Sequence, residues 1–213
     1  MASITLYGSP MSTCTKRVLT VCNELGIKCT LSPVDLGKFE HKAPDFLATK
    51  NPFGAVPILV DEDGTQLFES RAICRYLTAK YGKSSGLVPD PSDVKMYGLF
   101  EQAASIEYSS FDPAASGLTW ERRFAGMFGL PSSEEVATKH VSTLKSKMEG
   151  YERILSKQKY LAGEHVTLAD LFHLPYGAWV NEIDPTIIAA QPHVKKWWDD
   201  ISSRESWKQA NEN

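Results

Sequence analysis

Three short segments of this chain carry residue types and spacings suited to chemistry on an anionic ligand. Ser12 follows the turn signal Gly8-Ser9-Pro10 and stands where a helix begins. Its hydroxyl therefore lies among unpaired backbone N–H groups at the positive end of a helix dipole. A hydroxyl there can donate to a nearby anion or simply cap the helix, and the two roles are compatible. Thr13 and Cys14 follow directly and compete for the same task; Cys14 lies roughly half a turn further round, so it points elsewhere. Glu69-Ser70 opens another helix, where backbone N–H groups and a serine hydroxyl suit a carboxylate. The Glu69 side chain can receive an ammonium group, and Arg71 either adds electrostatic support or is solvated. His41-Lys42 offers positive charge to a second carboxylate, or is a surface pair.

The elements that must position these residues fall into two kinds. In the first 80 or so residues, strand and helix patterns alternate. Ile4-Thr5-Leu6-Tyr7 is a short β-prone run. Ser12 through Leu25 reads as a helix with Val18, Leu19, Val21, Cys22 and Leu25 on an apolar face and Gly26 as its stop. A second strand is predicted around Cys29 to Val34, then a short helix near Ala43 to Ala48. The hairpin signal is Pro57 to Val60, a turn at Asp61-Glu62-Asp63-Gly64, and Gln66-Leu67-Phe68. A helix over Glu69 to Lys80 follows. The order βαβ, short helix, ββα requires a parallel pair with an antiparallel hairpin added to the same sheet.

Gly82 to Pro91 has the composition of a linker, and beyond it the strand signal disappears. Val141, Leu144, Met148, Tyr151 and Leu155 repeat at helical spacing. Leu168 to Val180 is apolar nearly all round, which predicts a buried helix kinked at Pro175. Thr167-Leu168-Ala169-Asp170 opens it with the pattern of a capping box. The expected division is residues 1–81, a linker over 82–91, and a helical domain over 92–213.

Composition excludes several classes. The chain has 213 residues, which suits one large domain or two small ones, and at 42% hydrophobic and 23% charged its composition is that of a globular protein. At that length roughly 70% of the unfolded surface can be buried, so neither disulfide nor metal is needed for folding. A formal net charge of −3 without a basic stripe gives no reason to expect nucleic acid. No apolar run approaches the roughly 20 residues that span a bilayer. The opening Met1 to Tyr7 lacks a secretory pattern, so the expected location is the cytosol. Cys14, Cys22, Cys29 and Cys74 have no metal-ligand spacing and read as four reduced, mostly buried thiols.

The motifs together resemble the phi class of the cytosolic glutathione transferases. They are Tyr7-Gly8-Ser9-Pro10-Met11-Ser12-Thr13-Cys14-Thr15-Lys16-Arg17-Val18, Glu40-His41-Lys42, Asn51-Pro52-Phe53-Gly54-Ala55-Val56-Pro57, Phe68-Glu69-Ser70-Arg71-Ala72-Ile73, and the cap Thr167-Leu168-Ala169-Asp170. The resemblance covers nearly the whole chain. It implies an α/β thioredoxin-like N-terminal domain plus an all-α C-terminal helical domain. Glutathione is then a co-substrate rather than a cofactor, no metal is required, and the protein is a two-fold homodimer.

By this resemblance Ser12 is catalytic and donates to the glutathione sulfur. His41, Lys42, Val56, Pro57, Glu69, Ser70 and Arg71 bind the tripeptide, with a cis bond before Pro57 leaving the Val56 backbone free to pair with it. Met11, Phe39, Phe111, Leu118, Trp120 and Phe124 are the candidates for a hydrophobic electrophile site, or are core. Position 55 is Ala where phi proteins often carry a longer polar residue, which removes one side-chain contact. The thiolate would attack an electrophilic carbon or a peroxide oxygen. Two other readings use the same fold: a non-catalytic carrier of hydrophobic small molecules, and thiol–disulfide exchange through Cys14.

The energy required is modest. A free thiol has a pKa of about 8.5, and lowering it by two units takes about 2.7 kcal/mol of preference for the thiolate. A hydrogen bond to a charged acceptor contributes roughly 1.5–3 kcal/mol, and a helix terminus about 0.3–1 kcal/mol. One hydroxyl at a helix N-terminus is sufficient.

Overall fold

The computed structural model describes residues 4–212 and divides them into two compact units. The first comprises the residues through Ser85 together with those from Glu205 onward; the second is Gly86–Arg204.

In the first unit, β1 (Ile4–Gly8), α1 (Thr13–Glu24) and β2 (Cys29–Pro33) form the parallel crossover. A 3₁₀ turn over Glu40–Lys42 and α2 (Pro44–Thr49) lead to β3 (Ile58–Val60), β4 (Gln66–Phe68) and α3 (Ser70–Tyr81). The sheet order is β2-β1-β3-β4. Leu6 lies opposite Leu31 in the parallel pair and Leu59 in the antiparallel one. This element order is the one expected from the sequence, with boundaries within about two residues.

Alternation explains the core. Ile4 and Leu6 of β1 are buried at alternate positions, the adjacent Ile58 and Leu59 of β3 are buried on opposite faces of the sheet, and Val18 and Val21 of α1 and Ile73 and Leu77 of α3 are buried as well. Gly8 is required by the close approach of α1: a Cβ there would lie 2.5 Å from Thr15 Oγ1. The Asp61-Glu62-Asp63-Gly64 turn is tied to α3, because Asp61 accepts from Tyr76 Oη (2.6 Å), Tyr81 Oη (2.6 Å) and Lys80 Nζ (2.7 Å).

The C-terminal helix Glu205–Glu212 also packs on α1, whereas the sequence placed all of 92–213 in one helical domain. Asn23 Nδ2 donates to Ser206 O at 3.0 Å, and Lys16 Nζ donates to Asn211 O at 3.1 Å. A helical pattern shows that a segment has an apolar face but not which face it covers.

The second unit begins with α4 (Val94–Ile106), capped by Asp93. It continues through α5 (Asp112–Thr119) and α6 (Ala125–Met127), joined by π-helical turns at Glu107–Phe111 and Trp120–Phe124. Next comes α7 (Glu134–Leu155), in which Leu144, Met148, Tyr151 and Leu155 are buried as their spacing predicted, with Val141 half-buried.

The apolar segment after Thr167 is not one kinked helix. It forms α8 (Leu168–Leu171) and α9 (Leu174–Ile183), with α10 (Thr186–Ala189) and α11 (Pro192–Ser202) behind. The break falls at Phe172 and His173, and Pro175 sits in the first turn of α9, where its missing N–H leaves no bond unmade. The expected capping box is present. Asp170 accepts from Thr167 N (2.9 Å) and also from Leu161 N (3.0 Å) and Trp197 Nε1 (2.9 Å). Among the described residues no helix is long and apolar enough to cross a membrane, and no group of His, Cys, Asp or Glu could hold a metal ion.

Candidate functional site

Ser12 is the N-cap of α1, in extended conformation, and its Oγ accepts the Thr15 N–H at 3.2 Å. The hydroxyl oxygen is thus used by the helix while its own hydrogen remains available to an acceptor in front of it. The segment before it is held by Ser9, which is buried: Ser12 N donates to Ser9 O (3.0 Å) and Met11 N to Ser9 Oγ (3.3 Å). Thr13 is turned inward at 5% exposure and does not share the open position of Ser12. Cys14 is half-buried, and its sulfur accepts from Arg17 Nη1 at 3.4 Å.

Arg17 is the residue that sequence reading missed. It lies on the buried face of α1 and is wholly enclosed, and its Nη1 donates to Ser70 Oγ at 2.9 Å. The bond crosses from α1 to the first residue of α3, so the two helix N-termini carrying Ser12 and Ser70 are fixed to one another. The signal was present: Thr13, Arg17 and Val21 are four residues apart, which puts a charge on the face that must pack.

Ser70 is buried at the head of α3. Its oxygen accepts from Arg17, and its hydroxyl hydrogen remains free to rotate toward an acceptor. Glu69 before it is exposed and holds a left-handed backbone, with φ of 70°, uncommon for a residue other than glycine. Arg71 is half-buried in the first turn of α3.

The loop between α2 and β3 is organised by buried Asn51. Its Nδ2 donates to Ala55 O (2.9 Å), its Oδ1 accepts from Phe53 N (3.0 Å), and its carbonyl accepts from Gly54 N (2.9 Å). Gly54 has φ of 58°, and a Cβ there would lie 2.8 Å from His41 O. The Val56–Pro57 peptide is cis, as the resemblance implied. The N–H and C=O of Val56 have no partner among the described residues.

His41 and Lys42 lie against this loop rather than free in solvent. Lys42 Nζ donates to Gly54 O at 2.7 Å. The His41 ring stacks on Phe39 with centroids 6.1 Å apart, and burial, aided by the Lys42 charge, lowers its pKa. That shift favours the neutral imidazole. Its buried Nδ1 has no hydrogen-bond partner among the described residues.

The apolar candidates separate into two groups. Met11 and Phe39 are exposed in the first unit. In the second, Trp120 is exposed and stacks on Phe128 at 6.3 Å, while Phe124 is half-buried edge-on to Trp179 at 5.7 Å. Phe111 and Leu118, read from the sequence as substrate-lining or core, are buried. They are 3% and 0% exposed; Phe111 packs on His173 and Leu118 lies in the core. Aromatic and aliphatic spacing in a helix follows the inward face, and these two occupy it. A cavity of about 630 Å³ in the second unit, lined by Lys157, Lys159, His193, Lys196 and Trp197 among others, contains none of the residues above.

Comparison with known proteins agrees with this geometry. Residues 6–85 match the glutathione S-transferase N-terminal domain, and residues 106–205 match the C-terminal domain. The chain is 63% identical to glutathione S-transferase PM239X14 of Arabidopsis thaliana, over 93% of this chain and 91% of that one. It is similar to the crystal structure of glutathione transferase F7 from Populus trichocarpa, with a TM-score of 0.92 and 39% identity over 98% of each chain. A maize glutathione S-transferase I solved with an atrazine glutathione conjugate superposes with a TM-score of 0.89 at 31% identity, over 99% of this chain and 97% of that one. With both domains matched and the thioredoxin-like sheet in place, the chain belongs to the glutathione S-transferases, in their phi class.

Proposed function

We propose that this transferase activates glutathione through Ser12 and directs the thiolate at hydrophobic electrophiles. Glutathione lies along the first unit as a co-substrate. Its γ-glutamyl carboxylate takes the Ser70 hydroxyl and the N–H groups heading α3, and its ammonium meets Glu69. Arg71 adds positive charge on the same turn. The cysteinyl backbone pairs with the free N–H and C=O of Val56, a one-residue strand addition that cis-Pro57 keeps open. The glycyl carboxylate faces Lys42 and His41. These contacts place the sulfur before α1, where the Ser12 O–H donates to it.

Reaction at carbon is then a displacement. The thiol proton passes to solvent, the sulfur lone pair forms the S–C bond, and the leaving group departs with its bonding pair. With a hydroperoxide the same thiolate attacks the outer oxygen: the S–O bond forms, the O–O bond breaks, the departing oxygen leaves as alcohol after taking a proton, and a second glutathione converts the glutathione sulfenic acid to glutathione disulfide and water. Met11, Phe39, Trp120 and Phe124 are the remaining candidates to receive an apolar electrophile. A two-fold homodimer in the cytosol belongs to the same reading.

The single observation that carries it is the double use of Ser12, whose oxygen caps α1 while its hydrogen is left to donate. Conjugation of glutathione to an aryl halide, together with calorimetric titration of glutathione and of a hydrophobic dye, tests it. Turnover with tripeptide binding supports the enzyme. Dye binding without tripeptide binding or turnover replaces it with a carrier. Thiol–disulfide exchange at Cys14 is favoured by one contact, the Arg17 guanidinium on its sulfur. Cys14→Ser abolishes reductase activity if that reading holds and leaves conjugation unchanged if Ser12 does the work.

A further inference from the structure

The cavity of the second unit shares no residue with the glutathione site. Its volume of about 630 Å³ falls within the roughly 300–1,000 Å³ of small-molecule sites. One wall is α11, where His193, Lys196, Trp197 and Asp200 stand at i, i+3, i+4 and i+7 and so share a face. The other is the chain leaving α7, with Leu155 as the last residue of the helix and Lys157 and Lys159 beyond it.

Bonds within the protein hold both walls. Gln158 Nε2 donates to Tyr160 O (2.7 Å) and Leu161 O (3.0 Å), and Tyr160 N donates to Gly163 O (2.8 Å). Glu152 of α7 accepts from His193 N (3.0 Å), Val194 N (3.2 Å) and His193 Nδ1 (2.6 Å), which ties α7 to the head of α11. A site built in advance spends little ordering entropy when a ligand enters. The same three bonds close the head of α11, so that helix terminus is already answered and offers nothing further to an anion.

The lining residues sort by chemistry. Asp200 Oδ2 accepts from Tyr160 Oη at 2.7 Å, and Lys159 Nζ lies 4.9 Å from the centroid of the same ring, so these two charges are engaged at Tyr160. Lys157 and Lys196 have no side-chain hydrogen bond or ion pair among the described residues. Three lysines line the cavity against Glu164 and Asp200, an excess of one positive charge with His193 neutral. Trp197 spends its only polar atom on buried Asp170, its Nε1 donating at 2.9 Å. It therefore offers ring carbon to the cavity, beside the carbon of Leu155.

We propose that this cavity is a second, non-catalytic site that binds the monoanion of a small aromatic acid. The ring lies on Leu155 and Trp197, and the carboxylate faces the ammonium groups of Lys157 and Lys196, whose long stems can follow the ring while their heads stay in water. One excess positive charge matches one carboxylate. A neutral ring leaves both lysines unused, and a bare anion leaves the carbon floor uncovered. No residue of the glutathione site takes part, so this site stands or falls separately from the transferase reading.

The test is calorimetric titration of the full-length protein with 2-naphthoate at low ionic strength, where surface charges are least screened. The expected result is binding with a Kd below about 1 mM. Two controls divide the ligand: 2-naphthamide keeps the rings without the charge, and acetate keeps the charge without the rings. Each should bind at least tenfold more weakly. The double variant Lys157→Ala/Lys196→Ala should lose naphthoate affinity at least tenfold while its melting temperature and its glutathione affinity stay as in wild type. Ser12→Ala should bind naphthoate as wild type does. The proposal is overturned if wild type does not bind naphthoate, if naphthamide binds equally well, or if the two-lysine variant keeps full affinity. It is overturned as well if Trp120→Ala, and not the lysine pair, removes binding, because the probe then occupies the electrophile site.

Discussion

Ser70→Ala removes one oxygen with two tasks, and the structure predicts a separate readout for each. The Ser70 oxygen accepts the Arg17 Nη1 bond at 2.9 Å, in a place closed to water. Its hydrogen is the donor assigned to the γ-glutamyl carboxylate. Loss of a hydrogen bond to a charged group costs roughly 1.5–3 kcal/mol, so glutathione affinity should fall by roughly tenfold to a hundredfold. Removing an acceptor from a buried donor costs about 1–3 kcal/mol of stability. For a chain of this size, that lowers the melting temperature by about 2–12 °C. Calorimetric titration reads the first effect and a thermal melt the second. The KM for glutathione should rise with kcat little changed, because Ser70 is remote from the reacting sulfur. Ser70→Thr keeps the hydroxyl and should recover most of both losses. A variant that melts lower but binds glutathione as wild type does would refute the double assignment and leave Ser70 only as a partner of Arg17.

Other outcomes follow from the same geometry. Gly54→Ala forces a Cβ toward His41 O in a left-handed backbone, so it should lower stability by about 1–3 kcal/mol and raise the KM for glutathione. A fluorescence melt and steady-state kinetics check both, and unchanged values would mean that the loop does not fix Val56. Burial works against ionisation of Asp61, but bonds from Lys80, Tyr76 and Tyr81 outweigh it and hold the carboxyl well below the usual range. A lowered folded pKa contributes stability that is complete above the unfolded value of about 4 and is lost as pH falls through the folded one. The stability gap between wild type and Asp61→Asn in urea should therefore be constant at neutral pH and shrink steadily below about pH 4; a gap that widens in acid contradicts it. Sedimentation equilibrium should give a dimer mass for the native chain, and a monomer at all concentrations would remove the homodimer from the proposal.

The parts of the site that were legible in the sequence are those written in local chemistry. Ser12 after a Gly-Ser-Pro turn, Ser70 at the head of a helix, and the Thr167–Asp170 box each announce a helix N-terminus within four residues, and each caps or opens the helix it was assigned to. Arg17 was not legible, because its role depends on Ser70, 53 residues away across a helix pair. Nor was the break at Phe172 and His173. There, His173 is buried with its ring nitrogens on Tyr151 Oη (2.9 Å) and Ala169 O (2.8 Å), contacts that no local pattern announces, and Pro175 lies in the first turn of the next helix. Phe111 and Leu118 show the same limit from the other side: helical spacing says that they face inward but not whether a ligand or the core lies there.

The central claim is that one hydroxyl at the head of α1 holds the glutathione sulfur as a thiolate. Its most direct measurement is the ultraviolet thiolate absorbance of enzyme-bound glutathione, titrated across pH in wild type and in Ser12→Ala. The account predicts that the wild-type bound thiol titrates about two units below its free value of about 8.5, and that Ser12→Ala returns it by a unit or more while glutathione stays bound. Identical titration curves in the two proteins would contradict it and move the activation of glutathione to another group.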